Sequence, residues 1–157
     1  MVKRAAPLSG ATLATNTSMT LLAQDLMQKA VVTVAADLQF PQIRHLFVVA
    51  RIGGAPVVDA SGAVVGVIST TDLLGAIDQA LDEDVDPGAD DLESLTALDL
   101  ATPEVIWVSP TSTITEVAEV MRARGVHRVL VGTDGRLAGI LTAFDLLQGL
   151  TRVMPGA

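Results

Sequence analysis

Short β-prone apolar runs and segments of helical periodicity alternate along the chain, and the whole alternation occurs twice. An apolar run at residues 31–34 precedes a stretch in which Phe40, Ile43, Leu46 and Phe47 mark one face of a helix. Two more apolar runs, at 56–58 and 64–68, flank the turn Asp59-Ala60-Ser61-Gly62, and a last helix is predicted from near Thr70. The order returns with a run at 105–108 and the helical set Ile114, Val117, Val120 and Met121. It closes with strands at 130–131 and 137–141 around Thr133-Asp134-Gly135, then a helix from near Ala143. Local signals fix the helix ends. Thr113 and Glu116 form a capping-box pattern. Gly125 sits where a left-handed C-terminal stop belongs. Pro41 falls early in its helix, where a missing N–H costs little.

Sliding the sequence on itself accounts for the repetition. Ala23-Gln24-Asp25-Leu26 aligns with Ala97-Leu98-Asp99-Leu100 at an offset of 74. The same offset pairs residues 31–34 with 105–108, the two helical sets with each other, and Ile52 with Val126. After one deletion the offset is 73, pairing Gly62 with Gly135, Gly66 with Gly139, Ser69 with Thr142 and Asp72 with Asp145. Many ordered matches at one spacing identify an internal duplication. Each copy reads β-α-β-β-α, an α/β (α+β) unit too small to bury its own apolar faces. Two copies packed sheet against sheet are expected to do so. The expected organisation is a flexible tail at 1–18, a first repeat at 19–81, an acidic connector at 82–93 and a second repeat at 94–152.

Composition narrows the class. Half of the residues are apolar but only 3% are aromatic, so the core must be built from Val, Leu, Ile and Ala. The absence of Cys excludes disulfides, Cys-based zinc sites and a Cys nucleophile. A formal net charge of −8 without a Lys/Arg cluster argues against a nucleic-acid partner. The longest apolar run, around residues 30–36, is too short to cross a bilayer, and the N-terminus lacks a secretory pattern. A cytoplasmic protein without a membrane partner is the expectation.

The paired motifs Gly66-Val67-Ile68-Ser69-Thr70-Thr71-Asp72 and Gly139-Ile140-Leu141-Thr142-Ala143-Phe144-Asp145 fit one signature, glycine, apolar, any residue, Ser/Thr, two residues, Asp. With Ile52-Gly53-Gly54-Ala55-Pro56-Val57-Val58-Asp59 they resemble the CBS (cystathionine-β-synthase-type) repeat over residues 19–151. The resemblance implies tandem CBS repeats paired with pseudo-twofold symmetry around two clefts. It also implies a homodimer and a stand-alone regulatory module. Its clefts would bind an adenosine nucleotide or derivative such as AMP, ADP, ATP or S-adenosylmethionine and signal to an unknown protein partner. No obligatory cofactor is implied. The apolar residues Leu21, Leu22, Leu150 and Met154 near the ends are the sequence support for dimerisation.

The chemistry of the motif can be argued residue by residue. An ionised carboxylate accepts from both hydroxyls of a ribose, a role for Asp72 and Asp145. Ser69 and Thr142 lie at helix starts, where free N–H groups and the helix dipole suit phosphate. Apolar walls for an adenine are expected near Thr33, Ile52 and Gly53 in one copy and near Trp107 and Val126 in the other. His127 and Arg128 replace Gly53 and Gly54 in the second copy, and the planar fork of Arg128 suits phosphate. The Asp145 cleft is therefore expected to hold a phosphorylated ligand better than the Asp72 cleft. Two departures stand out. Thr70-Thr71 and Ala143-Phe144 occupy the place where many nucleotide-binding members carry Lys or Arg, and Leu130 replaces the family's Pro. Ser/Thr three residues before Asp is also an ordinary helix cap worth ~1 kcal/mol, so a purely structural role stays open.

Other constellations are weaker. Asp82, Asp84, Asp86, Asp90 and Glu93 fall at the spacing of a calcium loop, but Pro87 stands where its glycine belongs, and a solvated acidic linker is expected. His45 and His127 occupy non-equivalent positions with no carboxylate spaced to complete a metal site. No nucleophile, base and orienting group can be assembled, so no enzyme is expected. The alternative to ligand sensing is a structural or protein-interaction dimer with no physiological nucleotide.

Overall fold

The computed structural model describes residues 19–82 and 91–153. The predicted tail at 1–18, Met154 and the calcium-like residues Asp84, Asp86 and Asp90 lie outside the described residues. The first half runs α1 (Ala23–Leu26), β1 (Val34–Ala35), α2 (Phe40–Ala50), β2 (Gly54–Val58), β3 (Val64–Ser69) and α3 (Thr70–Leu81). A 3-10 turn at Leu92–Ser94 leads into the second half: α4 (Ala97–Leu100), β4 (Trp107–Val108), α5 (Ile114–Arg124), β5 (Arg128–Thr133), β6 (Arg136–Thr142) and α6 (Ala143–Val153). Each half forms a three-stranded sheet, β1-β2-β3 and β4-β5-β6, with the first pair parallel and the second antiparallel. The alternation predicts both hairpins and both long helices of each half. It does not predict α1 and α4, single helical turns that lead each repeat.

The helix ends form where the sequence places them. Thr113 and Glu116 exchange capping bonds of 2.8 and 3.2 Å at the start of α5. Gly125 closes that helix at φ 65°. Its counterpart Arg51 closes α2 in the same left-handed conformation at φ 54°, which a non-glycine residue adopts at some cost.

The leading strands are shorter than the apolar runs that predict them, and not equally placed. Trp107 pairs with Leu130, whose N–H donates to the Ile106 carbonyl at 2.9 Å. The counterpart of Leu130 is Pro56, which has no N–H to donate. Thr33, the counterpart of Trp107, thus falls outside the sheet, and β1 begins only at Val34, opposite Val57.

The two halves are closed by an exchange of leading segments. Residues 21–28 pack on the second half: Ala23 N–H donates to Ser112, Ile114 N–H to Leu21, and Gln28 pairs with Ile140. Residues 95–102 pack on the first half: Ala97 N–H donates to Leu38, Phe40 N–H to Leu95, and Thr102 pairs with Val67. Fully buried Ala97 joins the core of Val34, Phe40, Ile43, Val57, Ile68 and Leu73. Fully buried Ala23 joins the core of Val117, Met121, Val129, Val131 and Leu141. Two hydrophobic cores result, each completed by a segment of the other repeat.

The exchange explains two glycines. A Cβ at Gly66 would stand 2.8 Å from the Thr102 carbonyl oxygen, and one at Gly139 would stand 2.9 Å from that of Gln28. The exchanged backbones cross the strands at these points, and only a residue without a side chain lets them approach.

Candidate functional site

Both signature motifs fold into capping boxes. At the start of α3, Asp72 Oδ2 accepts from the Ser69 N–H at 2.7 Å and from the Ser69 hydroxyl at 2.9 Å. At the start of α6, Asp145 Oδ2 accepts from the Thr142 N–H and hydroxyl, both at 2.8 Å. The structural role of the motif is thus real and uses one carboxylate oxygen. The other oxygen distinguishes the repeats. Among the described residues Asp72 Oδ1 has no hydrogen-bond partner, whereas Asp145 Oδ1 accepts from Gln28 Nε2 at 3.2 Å.

Two cavities open between the repeats, and each mixes residues of both. The larger, about 330 Å³, brings Ser69, Thr71 and Asp72 of the first repeat against Ile106, Val126, His127 and Arg128 of the second. Its volume lies at the lower end of the ~300–1,000 Å³ found for ligand pockets. The smaller, about 210 Å³, brings Arg51, Ile52 and Gly53 against Thr142, with Gln28 at its wall. Val31 and Val32, which precede β1, line it too. Thr33 and Trp107 line neither cavity; Trp107 lies where a Cβ on Gly132 would meet its ring at 2.7 Å. Asp145 lines neither cavity and is only 7% exposed.

The crossing of the repeats changes the electrostatics. Arg128 lies with Asp72, not with Asp145, because β5 faces the α3 terminus across the larger cavity. Its guanidinium also reaches the smaller cavity and runs along β2, where a Cβ on Gly54 would collide with Nη1. Burial holds the Arg128 guanidinium below its ordinary value, and no carboxylate pairs with it among the described residues. The cavity's other arginine, Arg124, is bound to Glu104 at 2.9 Å. The larger cavity is therefore lined by Asp72 and by Arg128, which reaches the smaller cavity as well, and neither is in an ion pair among the described residues.

Sequence reasoning did not single out Glu104, Arg124, Thr102 or Ile106 in the larger cavity, nor Gln28 and Arg51 in the smaller. The signal was present for one pair, since Gln28 and Thr102 are counterparts at the offset of 74. Among the described residues, no group of three or more His, Asp or Glu could hold a metal ion. Nor is any helix among them long and apolar enough to cross a membrane.

Comparison with known proteins adds the kinship. The sequence profile of the CBS domain matches residues 23–79 and 97–152. The uncharacterized protein MJ1426 of Methanocaldococcus jannaschii is 32% identical, over 83% of this chain and 91% of that protein. MJ1225 of the same organism is 26% identical over 80% of this chain, which spans only 41% of its length. The CBS-domain containing protein ATU1752 of Agrobacterium tumefaciens superposes with a TM-score of 0.73 at 26% identity, covering 85% of this chain and 96% of that one. Two structures at 22% identity share the fold. CBSX2 in complex with AMP has a TM-score of 0.69 over 84% of this chain and 97% of its own. The CBS domain pair of MJ0100, with 5′-methylthioadenosine and S-adenosyl-L-methionine, has 0.72 over 85% and 98%.

Proposed function

The chain belongs to the CBS domain family and carries two copies of the domain in tandem, and from that premise we propose that it is a regulatory module that binds an adenosine nucleotide at the Asp72 cleft. One observation supports this above all: the larger cavity is lined, across the repeats, by Asp72 and Arg128, neither of which is in an ion pair among the described residues. A ribose donates hydroxyls to a carboxylate, and Asp72 Oδ1 has no donor among the described residues. A phosphate suits the planar fork of Arg128. Ile106 and Val126 offer apolar surface for the base. The AMP and S-adenosylmethionine complexes of proteins with this fold support the adenosine class.

Binding would couple to signalling through the same geometry. A ligand touching α3 of one repeat and β5 of the other favours the arrangement in which both are in reach, and so shifts the population toward it. No catalytic step is assigned. A cytoplasmic homodimer that passes this shift to a partner protein completes the proposal.

Thermal shift and calorimetry with AMP, ADP, ATP, NAD and S-adenosylmethionine test it. A ligand at a hundredfold excess over its Kd adds ~2.7 kcal/mol of stability. Removing a charged hydrogen-bond partner costs about 1.5–3 kcal/mol, so Asp72→Ala should weaken binding by roughly tenfold or more. Arg128→Leu should erase the preference for AMP over adenosine. No shift with any of these compounds, from a protein that remains dimeric, would establish the structural or protein-interaction alternative instead.

A further inference from the structure

The two clefts share a backbone design, and one pair of counterpart side chains meets the signature aspartates differently. Gln28 and Thr102 are counterparts, and each is anchored to the strand it crosses by two backbone hydrogen bonds. Gln28 exchanges bonds of 2.8 and 3.0 Å with Ile140; Thr102 exchanges bonds of 2.9 and 2.8 Å with Val67. Ile140 and Val67 are counterparts in turn. The two side chains therefore start from equivalent points beside equivalent aspartates. Thr102 makes no bond to Asp72, which lines the larger cavity with Oδ1 unpartnered among the described residues. Gln28 extends further, and its Nε2 lies 3.2 Å from Oδ1 and 3.5 Å from Oδ2 of Asp145. Gln28 lines the smaller cavity, and Asp145, to which its amide is bonded, does not.

We propose that Gln28 closes the second cleft to ribose, so that each chain binds one nucleoside, at Asp72, although it contains two signature aspartates. The inference rests on the adenosine-binding reading above and assigns Gln28 as the residue that makes the clefts unequal. A ribose entering the smaller cavity has to displace the Gln28 amide from Asp145 and find room for it. The cavity offers about 210 Å³ against 330 Å³ on the other side. Truncating Gln28 removes both obstacles at once. The backbone pairing with Ile140 does not depend on the side chain, so the exchanged segment keeps its anchor.

Isothermal titration with adenosine gives the stoichiometry directly. Wild type should bind one adenosine per chain. Gln28→Thr and Gln28→Ala should each bind two, with the second site gaining about tenfold or more in affinity. Asp72→Ala should lose its site, and Asp72→Ala/Gln28→Thr should regain one, which Asp145→Ala then removes. Two sites in wild type, or one site in both Gln28 variants, would overturn the inference and leave the Asp72 reading intact. Failure of every variant to bind adenosine would overturn both.

Discussion

At the scale of the residue, one side chain often serves two purposes, and geometry decides how they divide. Asp72 and Asp145 each commit Oδ2 to a helix cap, so the capping and binding roles of the motif are not rivals. They differ in whether Oδ1 is left over. Asp59 is a simpler case, a carboxylate whose work is wholly structural. Its Oδ1 gathers the Ser61 hydroxyl at 2.6 Å, the Ser61 N–H at 2.8 Å and the Ala63 N–H at 3.0 Å, shaping the β2–β3 turn. The Ser61 hydroxyl, then the Ala63 N–H, hold this carboxyl below the usual carboxylate range. A depressed acid contributes stability above its unfolded pKa of ~3.9 and loses it as the pH falls through the folded value. Asp59→Ala should therefore melt below wild type at pH 7, with the gap narrowing as the pH drops under about 4. A gap that stays constant down to pH 3 would contradict this account.

At the scale of the element, the exchanged leading segments decide which glycines are irreplaceable. Gly66 and Gly139 lie under crossing backbone, whereas Gly75 sits on the exposed side of α3 with open space around it. Gly66→Ala has to push backbone rather than a flexible side chain, at a cost of about 1–3 kcal/mol. Gly75→Ala removes a glycine from a helix interior and should stabilise by roughly 0.5–1 kcal/mol. Urea denaturation of the two variants reads both signs. Equal effects would mean that the crossing segment is not tightly seated. Gly54 belongs to a third kind, since its missing Cβ makes room for the Arg128 guanidinium and not for backbone alone.

At the scale of the whole molecule, two separate cores leave an apolar surface. Leu74 on α3 and Leu147 on α6 are counterparts, and both are exposed, at 61% and 59%. Phe144, Leu150 and Val153 extend the exposed apolar face of α6. Large exposed apolar patches mark association surfaces, which supports the proposed homodimer. Leu147→Glu should convert a dimer to a monomer in size-exclusion chromatography with light scattering, with the fold retained by circular dichroism. A wild-type chain that is monomeric at every concentration would remove the dimer from the proposal.

The order of residues by itself determined the duplication, both hairpins, the long helices and their caps, because these depend on neighbours within a few positions. It marked Ser69, Asp72, Thr142 and Asp145 for the same reason: a cap and its carboxylate lie three residues apart. Tertiary structure decided how the repeats complete one another. Period and propensity say nothing about which half a four-residue leading helix will join, since Ala23 and Ala97 are equally apolar toward either core. From that exchange follow the placing of Arg128 and Asp72 on one cavity and the bond of Gln28 to Asp145, both arrangements of residues distant in sequence. Chemistry that acts within one turn of backbone is written locally; chemistry that needs two repeats to meet exists only once they have packed.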